Sequence, residues 1–393
     1  MTGDNILIIQ SGGSTPVLNR SLYGLVSEAY EQKCFGMIYG AIHGIEGLLS
    51  NKFIDLSKQT KEQWNRIIRT PGAILGSSRR KLKTDDTLTA LGILQTHGIR
   101  YCFIIGGNDS AETGHQISVA TKAAGKPLTV INVPKTIDND LVQTDHSPGY
   151  GSAARFVALA TMGAGRDAET MGDASPITII EVMGRNAGWL AASSMLAKQD
   201  ERDAPHLVCV PEVPIDEQKF LNNVEDAYSR FGFVVVVVAE NTRSTNGVLS
   251  NQKTPWYVDE FGHPYYDGAG RYLSELIGCH LKTRVRYERP GTIQRSMATC
   301  VSNTDALEAE KVGRAAVRYA IDGLSDHMVT LVRHKSKKYT CSTGLAPLER
   351  IAGQVSQMPG KYLHPADYTV TQAFVQYSTP LIGAPLPKFS RLL

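Results

Sequence analysis

The sequence predicts an α/β protein built from two Rossmann-like, doubly wound αβα domains, and three observations support this fold class. Strands and helices alternate along the chain from the first residues onward. Apolar runs such as 233–239, which is nearly pure valine, are typical of parallel strands that are covered on both faces. A second strand–helix set begins at residue 176 after a long helix, which indicates a second domain of the same architecture.

The two domains are expected to be discontinuous in the sequence. We predict a larger domain from residues 1–145 with about 300–340, and a smaller one from 146–299 with about 341–393. A length of 393 residues fits two or three domains of ordinary size.

The composition excludes several classes of partner. Hydrophobic residues make up 42% and charged residues 20% of the chain, and the net charge of +3 is too small to indicate nucleic acid or an anionic membrane surface. No apolar run approaches the ~20 residues that span a bilayer. Six cysteines without metal-binding spacing indicate reduced thiols, so we expect a cytoplasmic protein. From the charge and the apolar runs we expect no membrane and no nucleic-acid partner.

The first strand and helix enclose a glycine pair. Strand 6–9 is followed by Gly12 and Gly13 and then by a helix over 17–32, for which Thr15 is the expected N-cap. This order directs backbone N–H groups and a helix N-terminus toward an anion, although a tight turn without a ligand has the same pattern.

The next elements add cations and a second glycine pair. Strand 35–40 and helix 58–68 precede a predicted short strand over 73–80, which ends in Arg79 and Arg80. These arginines suit either phosphate or a solvated turn. Helix 85–97 and strand 100–105 then lead to the segment Gly106-Gly-Asn-Asp-Ser110 and another helix. Asp109 is unexpected there, because a carboxylate repels a phosphate unless it serves specificity.

The densest group of functional side chains follows the strand predicted over 128–133. Lys135, Thr136, Asp138 and Asp140 come within six residues, on the loop at the carboxyl end of that strand, where open α/β sheets bind ligands. A cation, a hydroxyl and two carboxylates suit a phosphate, a metal ion and a base that takes a proton from a hydroxyl. A solvated turn is the alternative.

The second half repeats the alternation of strands and helices. The predicted elements are helix 151–166, strand 176–182 with the loop 183–188, strand 206–210, helix 216–231, strand 233–239 ending in Glu240, loop 243–264, helix 270–280, extended segment 284–288, helix 303–323 and an edge hairpin over 328–339. Short helices and loops are expected after residue 353.

Seven motifs in one order resemble the phosphofructokinase family, whose members phosphorylate fructose 6-phosphate at its 1-hydroxyl. They are Gly12-Gly13, LGSSR (75–79), GGNDS (106–110), PKTIDND (134–140), EVMGRNAG (181–188), AE (239–240) and IQR (293–295). The resemblance implies a glycolytic and gluconeogenic transferase with its active site in the cleft between the domains. The larger domain would bind the phosphoryl donor and the smaller one the sugar phosphate.

Two residues resemble the pyrophosphate-dependent branch of the family. Asp109 and Lys135 stand where ATP-using members usually have glycine. The carboxylate disfavours the α-phosphate of ATP, and the lysine neutralises charge on the donor. We therefore expect reversible, pyrophosphate-dependent formation of fructose 1,6-bisphosphate and phosphate. An ATP-dependent or mixed-donor 6-phosphofructokinase and a non-catalytic regulatory subunit are the alternatives.

The resemblance also implies roles for single residues. Asp138 is the expected general base, and Lys135, Asp109 and Arg185 complete the catalytic group. The expected donor contacts are Gly12, Gly13, Arg79 and Ser110. The expected sugar contacts are Thr136, Ile137, Asp138, Asp140, Met183, Gly184, Arg185, Glu240, Arg286, Thr292 and Arg295, with Arg286 supplied by a neighbouring subunit. A shared site implies a homodimer or homotetramer.

Three positions depart from the family pattern. Asn108 replaces the aspartate that usually holds Mg²⁺, yet its amide oxygen remains a possible ligand, so Mg²⁺ is the expected cofactor. Thr292 and Pro176 replace a histidine and an arginine that usually contact the sugar phosphate. Acceptors other than fructose 6-phosphate, such as sedoheptulose 7-phosphate, therefore stay open.

Overall fold

The computed structural model describes residues 3–126, 128–250, 254–258 and 264–392. Its strands there are β1 (Asp4–Gln10), β2 (Phe35–Ala41), β3 (Phe53–Asp55), β4 (Ile99–Gly106), β5 (Thr129–Pro134), β6 (Ile177–Val182), β7 (Leu207–Cys209), β8 (Val234–Ala239), β9 (Arg243–Ser244), β10 (Gly247–Val248), β11 (Tyr257–Val258), β12 (Pro264–Tyr265), β13 (Val285–Glu288), β14 (His327–Arg333), β15 (Cys341–Pro347), β16 (Leu363–His364) and β17 (Thr369–Val370).

The α-helices cover the faces of two sheets. They are α1 (Leu18–Gln32), α2 (Gly44–Leu49), α3 (Lys61–Ile67), α4 (Thr84–Thr96), α5 (Asn108–Ala123), α6 (Tyr150–Met171), α7 (Trp189–Ser193), α8 (Glu217–Phe231), α9 (Ala269–Leu281), α10 (Asn303–Ile321) and α11 (Gln372–Ser378). No helix in the described ranges is long and apolar enough to cross a membrane.

The larger sheet has seven strands in the order β15-β14-β5-β4-β1-β2-β3. Strands β14, β5, β4, β1 and β2 run parallel, and β15 and β3 are antiparallel edges. Leu22 of α1 and Val312 of α10 pack on one face, and Leu94 of α4 and Ile117 of α5 pack on the other. Helices on both faces confirm the predicted doubly wound architecture.

The smaller sheet has four parallel strands in the order β13-β6-β8-β7. The core on one face includes Val157 of α6 and Phe374 of α11. The opposite face packs against Phe220 of α8 and Leu273 of α9. Every residue of β8 is buried, as the valine run predicted for a strand covered on both faces.

Two local expectations differ from the structure, and a third lies partly outside the described residues. Residues 73–80 form no strand, because Gly76 adopts a φ of 74° and the segment instead packs through hydrogen bonds such as Leu75 N–H to Gln10 Oε1 (3.0 Å). Thr15 is not the N-cap of α1, since the helix begins one residue after Val17. Part of the predicted loop 243–264, namely 251–253 and 259–263, lies outside the described residues.

The hairpin near residue 340 also differs from expectation. β14 pairs with β15 along its whole length, with Leu331 opposite Thr343, so residues 341–347 belong to the larger sheet although the sequence assigned them to the smaller domain. The reason is that β14 has β5 on only one side, and β15 satisfies the backbone groups on the other. The remaining domain limits stay a prediction.

Candidate active site

A cleft of about 420 Å³ lies where the carboxyl ends of the strands in both sheets meet. It brings together most of the residues that the sequence assigned to the site: Gly12, Gly13, Arg79, Asn108, Asp109, Ser110, Lys135, Thr136, Ile137, Asp138, Asp140, Met183, Arg185, Glu240 and Arg295. Gly184, Arg286 and Thr292 are not among its lining residues.

The loop after β1 lets cations approach the backbone closely. Gly12 has a φ of 77°, and a Cβ there would lie 3.2 Å from Lys135 Nζ. A Cβ on Gly13 would lie only 2.6 Å from Arg295 Nη1, so a larger residue there would force the guanidinium to move. The loop is fixed by Gly12 N–H, which donates to Ser78 O (3.1 Å), and by the Ser77 hydroxyl, which donates to Gly12 O (2.6 Å).

Lys135 is a buried cation on the loop after β5. Its side chain is only 4% exposed, and Nζ donates to Gly13 O at 2.7 Å. Burial first, and then the positive charge of Arg295, lower the pKa of Lys135 to about 8. An anionic ligand beside Nζ would favour the protonated form and raise this pKa again.

The loop after β4 places an amide and a carboxylate at the start of α5. Asn108 Nδ2 donates to Asp140 Oδ2 (3.2 Å), while Asn108 Oδ1 is buried and lacks a hydrogen-bond partner within the described residues. Asp109 lies nearer the solvent, 4.0 Å from Lys81 Nζ, which also lies 4.0 Å from Glu112. The sequence analysis missed Lys81 and Glu112, because neither belongs to a motif.

The two aspartates on the loop after β5 are both buried and perturbed. Asp138 N–H donates to Thr136 Oγ1 (3.1 Å), and Asp138 Oδ1 is buried with no hydrogen-bond partner in the part of the chain that is described. Burial and then the negative charge of Glu240 raise the pKa of Asp138 above its ordinary value. Burial and the charge of Asp138 raise the pKa of Asp140. Raised carboxyl pKa values at a cleft are typical of acid–base groups.

The loop after β6 is held by two residues to which the sequence analysis gave no role. Met183 N–H donates to Gln294 Oε1 (3.2 Å). Gly188 N–H donates to both carboxylate oxygens of Glu212, at 3.0 and 3.1 Å. Gly184 has a φ of 137°, a backbone conformation that favours glycine. Gln294 belongs to the motif IQR (293–295), whereas Glu212 belongs to no motif.

Glu240 follows β8 and faces a second carboxylate and two arginines. Burial and then Glu181 raise the pKa of Glu240, and Arg185 opposes this shift. Arg289 Nη2 lies 3.8 Å from Glu240 Oε2, and Arg289 Nε lies 3.0 Å from Glu181 Oε1. Arg289, which the sequence left without a role, therefore neutralises a pair of carboxylates beside the cleft.

A segment from beyond β15 closes one side of the cleft. Gly353 and Val355 are among the lining residues, and Ser356 N–H donates to Asp140 O at 2.7 Å. Met358 N–H donates to Glu212 Oε1 (2.9 Å). Its lining residues are a glycine and a valine, which carry no chemical signal in the sequence.

Arg286 and Thr292 lie away from the cleft of their own chain. Arg286 is on β13, the edge strand of the smaller sheet, and pairs with Asp167 of α6. Thr292 is exposed on a short turn before Arg295. Within one chain the structure does not bring them to the site. Their sugar-contacting roles stay predictions, and that of Arg286 needs a second subunit.

Comparison with known proteins identifies the family. The family model described as phosphofructokinase matches residues 5–320. The chain belongs to the phosphofructokinase family. It is 36% identical to the pyrophosphate–fructose 6-phosphate 1-phosphotransferase of Rhodospirillum rubrum, covering 98% of this chain and 96% of the relative. The enzyme of the same name from Xanthomonas campestris is 37% identical, covering 98% and 93%.

Solved structures of the family share the fold over nearly the whole chain. The pyrophosphate-dependent phosphofructokinase of Nitrosospira multiformis has a TM-score of 0.90 at 31% identity, covering 99% of this chain and 95% of the other. Relatives named for another donor or acceptor match less of the chain. The ATP-dependent 6-phosphofructokinase 2 of Streptomyces coelicolor is 31% identical over 82% of it, and the sulfofructose kinase of Alkalicoccus urumqiensis is 32% identical over 91%.

Proposed function

We propose that this phosphofructokinase transfers a phosphoryl group reversibly from pyrophosphate to the 1-hydroxyl of fructose 6-phosphate, forming fructose 1,6-bisphosphate and phosphate. The observation that carries the proposal is the buried Lys135, whose Nζ lies against the glycine loop at 2.7 Å from Gly13 O. A desolvated cation at this point favours a short, highly charged donor held by backbone N–H groups.

Asp109 supports the same choice of donor from the other end of the cleft. Its carboxylate lies at the mouth, beside Lys81 at 4.0 Å. A nucleotide would have to place a further phosphate or a ribose past this carboxylate, and like charges side by side cost several kcal/mol. Pyrophosphate has no further phosphate and no ribose, so it would not have to pass this carboxylate. An ATP-dependent or mixed-donor 6-phosphofructokinase is the second candidate function, since the glycine loops alone suit any phosphate chain.

Mg²⁺ is the proposed cofactor, and the donor side of the cleft fits it. Asn108 Oδ1 is buried without a hydrogen-bond partner in the described part of the chain, and the Asp140 carboxylate accepts from the same amide. An amide oxygen and a carboxylate are oxygen ligands of the kind that Mg²⁺ accepts alongside phosphate oxygens. When bound, the ion would neutralise charge on the donor phosphates.

Asp138 is the proposed base. Its carboxylate takes the proton of the sugar 1-hydroxyl as that oxygen attacks phosphorus, and the bond from phosphorus to the bridging oxygen of pyrophosphate breaks, leaving phosphate in the glycine loops. Lys135, Arg185 and Arg295 surround the position of the developing charge. The raised pKa of Asp138 suits a reversible enzyme, because the protonated group returns the proton in the opposite direction.

The proposal includes an assembly and a setting. Arg286 would serve a neighbouring subunit's site, which makes a homodimer or homotetramer the proposed state. The cytoplasm is the proposed location, and no nucleic acid or membrane is a proposed partner. The larger domain is proposed to bind the donor and the smaller one the sugar phosphate.

The deciding experiment measures kcat/KM with pyrophosphate and with ATP, using fructose 6-phosphate and sedoheptulose 7-phosphate as acceptors. We expect turnover with pyrophosphate and at least a hundredfold preference over ATP. The double variant Asp109→Gly/Lys135→Gly should lose at least a hundredfold in kcat with pyrophosphate, because two charged groups at the donor are removed. Lys122→Ala, on the same helix as Asp109, is the control and should change little.

Two outcomes would contradict the proposal. Robust turnover with ATP and none with pyrophosphate would favour the ATP-dependent alternative. Absence of turnover with every donor and acceptor by the purified, folded chain would favour the non-catalytic subunit.

A further inference from the structure

Asn139 lies between Asp138 and Asp140 in the sequence, and both polar atoms of its side-chain amide form hydrogen bonds within the protein. It is 4% exposed and has a φ of 55°, a left-handed conformation that few residue types adopt readily. Its Oδ1 accepts from Ser147 N–H (3.0 Å), and its Nδ2 donates to Tyr377 Oη (3.0 Å). Asn139 is not among the residues that line the cleft, so its amide serves the loop and not a ligand.

The tyrosine comes from the far end of the chain. Tyr377 lies on α11, 238 residues beyond Asn139, and its hydroxyl also donates to Asp145 O (2.8 Å). The Tyr377 hydroxyl therefore links Asn139 to Asp145, which lies further along the same loop. Burial and the nearby charge of Asp145 raise the pKa of Tyr377 well above its ordinary value, so the hydroxyl keeps the proton that it donates.

Tyr377 is itself held in place by an arginine. Arg333 lies over the Tyr377 ring, 4.3 Å from its centroid, and Nη1 donates to Tyr377 O at 2.9 Å. Arg333 Nε donates to Asp145 Oδ1 (3.0 Å). A cation over a buried aromatic ring with two hydrogen bonds leaves the tyrosine little freedom.

The network continues into a histidine–glutamate pair. His146 contacts Asp145 Oδ1 through Nδ1 (2.8 Å) and Glu308 Oε2 through Nε2 (2.7 Å). Cys341 completes a group with the residue types of a metal site, but its thiol pKa is raised by burial to about 11, and His146 already hydrogen-bonds Glu308 directly. We therefore interpret this cluster as a rigid support for the loop.

We propose that Tyr377 is a positioning residue for phosphoryl transfer. Its hydroxyl holds Asn139 in the left-handed conformation that directs the Asp138 carboxylate into the cleft. The inference deepens the proposed function and rests on Asp138 as the base. Displacing a reacting group by about 1 Å can cost about a hundredfold in rate, so the loss of one distant hydroxyl should be measurable in turnover.

Tyr377→Phe tests the proposal, with Tyr362→Phe as a matched control. Both rings belong to one aromatic cluster with centroids 5.4 Å apart, but only the Tyr377 hydroxyl bonds the Asn139 amide. We expect Tyr377→Phe to lower kcat about 10- to 100-fold with the KM for pyrophosphate changed less than twofold. Tyr362→Phe should leave kcat within twofold. A kcat for Tyr377→Phe within twofold of the wild type would overturn the proposal.

A double-mutant cycle separates positioning from general loosening of the fold. Asn139→Gly keeps the backbone able to adopt a positive φ but deletes both hydrogen bonds. We expect it to lower kcat at least as much as Tyr377→Phe. Because both variants delete the same hydrogen bond, we expect the loss in the double variant to be smaller than the product of the two single losses. Fully additive losses would contradict a shared hydrogen bond.

Failure of the inference and failure of the proposed function give different results. Asp138→Asn should abolish turnover if Asp138 is the base, whatever Tyr377 does. Near-wild-type turnover by Asp138→Asn would overturn both proposals. Loss of turnover by Asp138→Asn with full turnover by Tyr377→Phe would overturn the positioning role alone.

Discussion

At the scale of the residue, two opposite pKa shifts predict a narrow pH range for activity. Lys135 must be protonated to neutralise the donor, and its pKa is lowered to about 8, so activity should fall as the pH rises through this value. Asp138 must be ionised to act as base, and its pKa is raised, so activity should fall on acidification earlier than for an ordinary aspartate. The profile of kcat/KM for pyrophosphate against pH should be bell-shaped.

A variant separates the enzyme's titration from that of pyrophosphate, which also ionises. Lys135→Arg keeps a charge that persists to high pH, so any remaining activity should lose the alkaline limb near pH 8. Lys122→Arg, on the exposed side of α5, should leave the profile unchanged. An alkaline limb that is identical in Lys135→Arg and the wild type would assign that limb to the substrate.

The motif residues of the site could be predicted from the sequence, but the residues that hold their loops in place by hydrogen bonds could not. Lys135 and Asp138 follow a buried strand, and strand ends converge at one edge of a sheet, so their place in a cleft could be inferred from order alone. Glu212 hydrogen-bonds Gly188, which is 24 positions away, and Tyr377 hydrogen-bonds Asn139, which is 238 positions away. Nothing in an isolated glutamate or tyrosine indicates such a partner.

At the scale of the element, Glu212 joins two segments that line the cleft. Its carboxylate accepts from Gly188 N–H, at the end of the loop that carries Met183 and Arg185, and from Met358 N–H (2.9 Å). Glu212→Ala would leave these N–H groups without their acceptor, at a cost of about 1–3 kcal/mol for each one that stays buried. We expect the KM for fructose 6-phosphate to rise about tenfold, with a smaller change in the KM for pyrophosphate.

The conservative replacement is the control for this element. Glu212→Gln keeps one carbonyl oxygen as acceptor and should recover part of the affinity lost in Glu212→Ala. Equal KM changes for both substrates in Glu212→Ala would show a general disturbance instead of a specific effect on the loop after β6. Initial-rate measurements over a range of both substrates distinguish these results.

Element types followed from alternation and burial more reliably than element ends. The valine run became β8 and the glycine loops sit at strand ends, because both patterns express local physics. The predicted strand over 73–80 was wrong because the chain turns there: Gly76 N–H donates to Ala73 O (3.0 Å), and Gly76 has a φ of 74°. The pairing of β14 with β15 could not be inferred, since the choice of an edge partner depends on the assembled sheet.

At the scale of the whole molecule, Asp305 ties together the helices of the two domains. It lies in the first turn of α10, which packs on the larger sheet, and its carboxylate accepts from the N-terminus of α6, which packs on the smaller one. The bonds are Gly149 N–H to Oδ1 (2.7 Å) and Ser152 N–H to Oδ2 (2.9 Å), with a further bond from the Ser152 hydroxyl. A buried carboxylate at a helix N-terminus satisfies donors that the helix cannot.

Asp305→Ala should therefore lower both stability and turnover. Removing a buried acceptor of three donors is expected to cost about 3 kcal/mol, because the remaining donors stay buried without partners. The cleft lies between the two sheets, so a looser junction should also reduce kcat.

Asp305→Asn keeps one acceptor oxygen and should be milder, and Asp322→Ala, exposed at the other end of α10, should change neither quantity. Calorimetry and initial rates measure the two effects. An Asp305→Ala variant as stable as Asp322→Ala would mean that the domains are held together by their apolar contacts, with the carboxylate contributing only alignment.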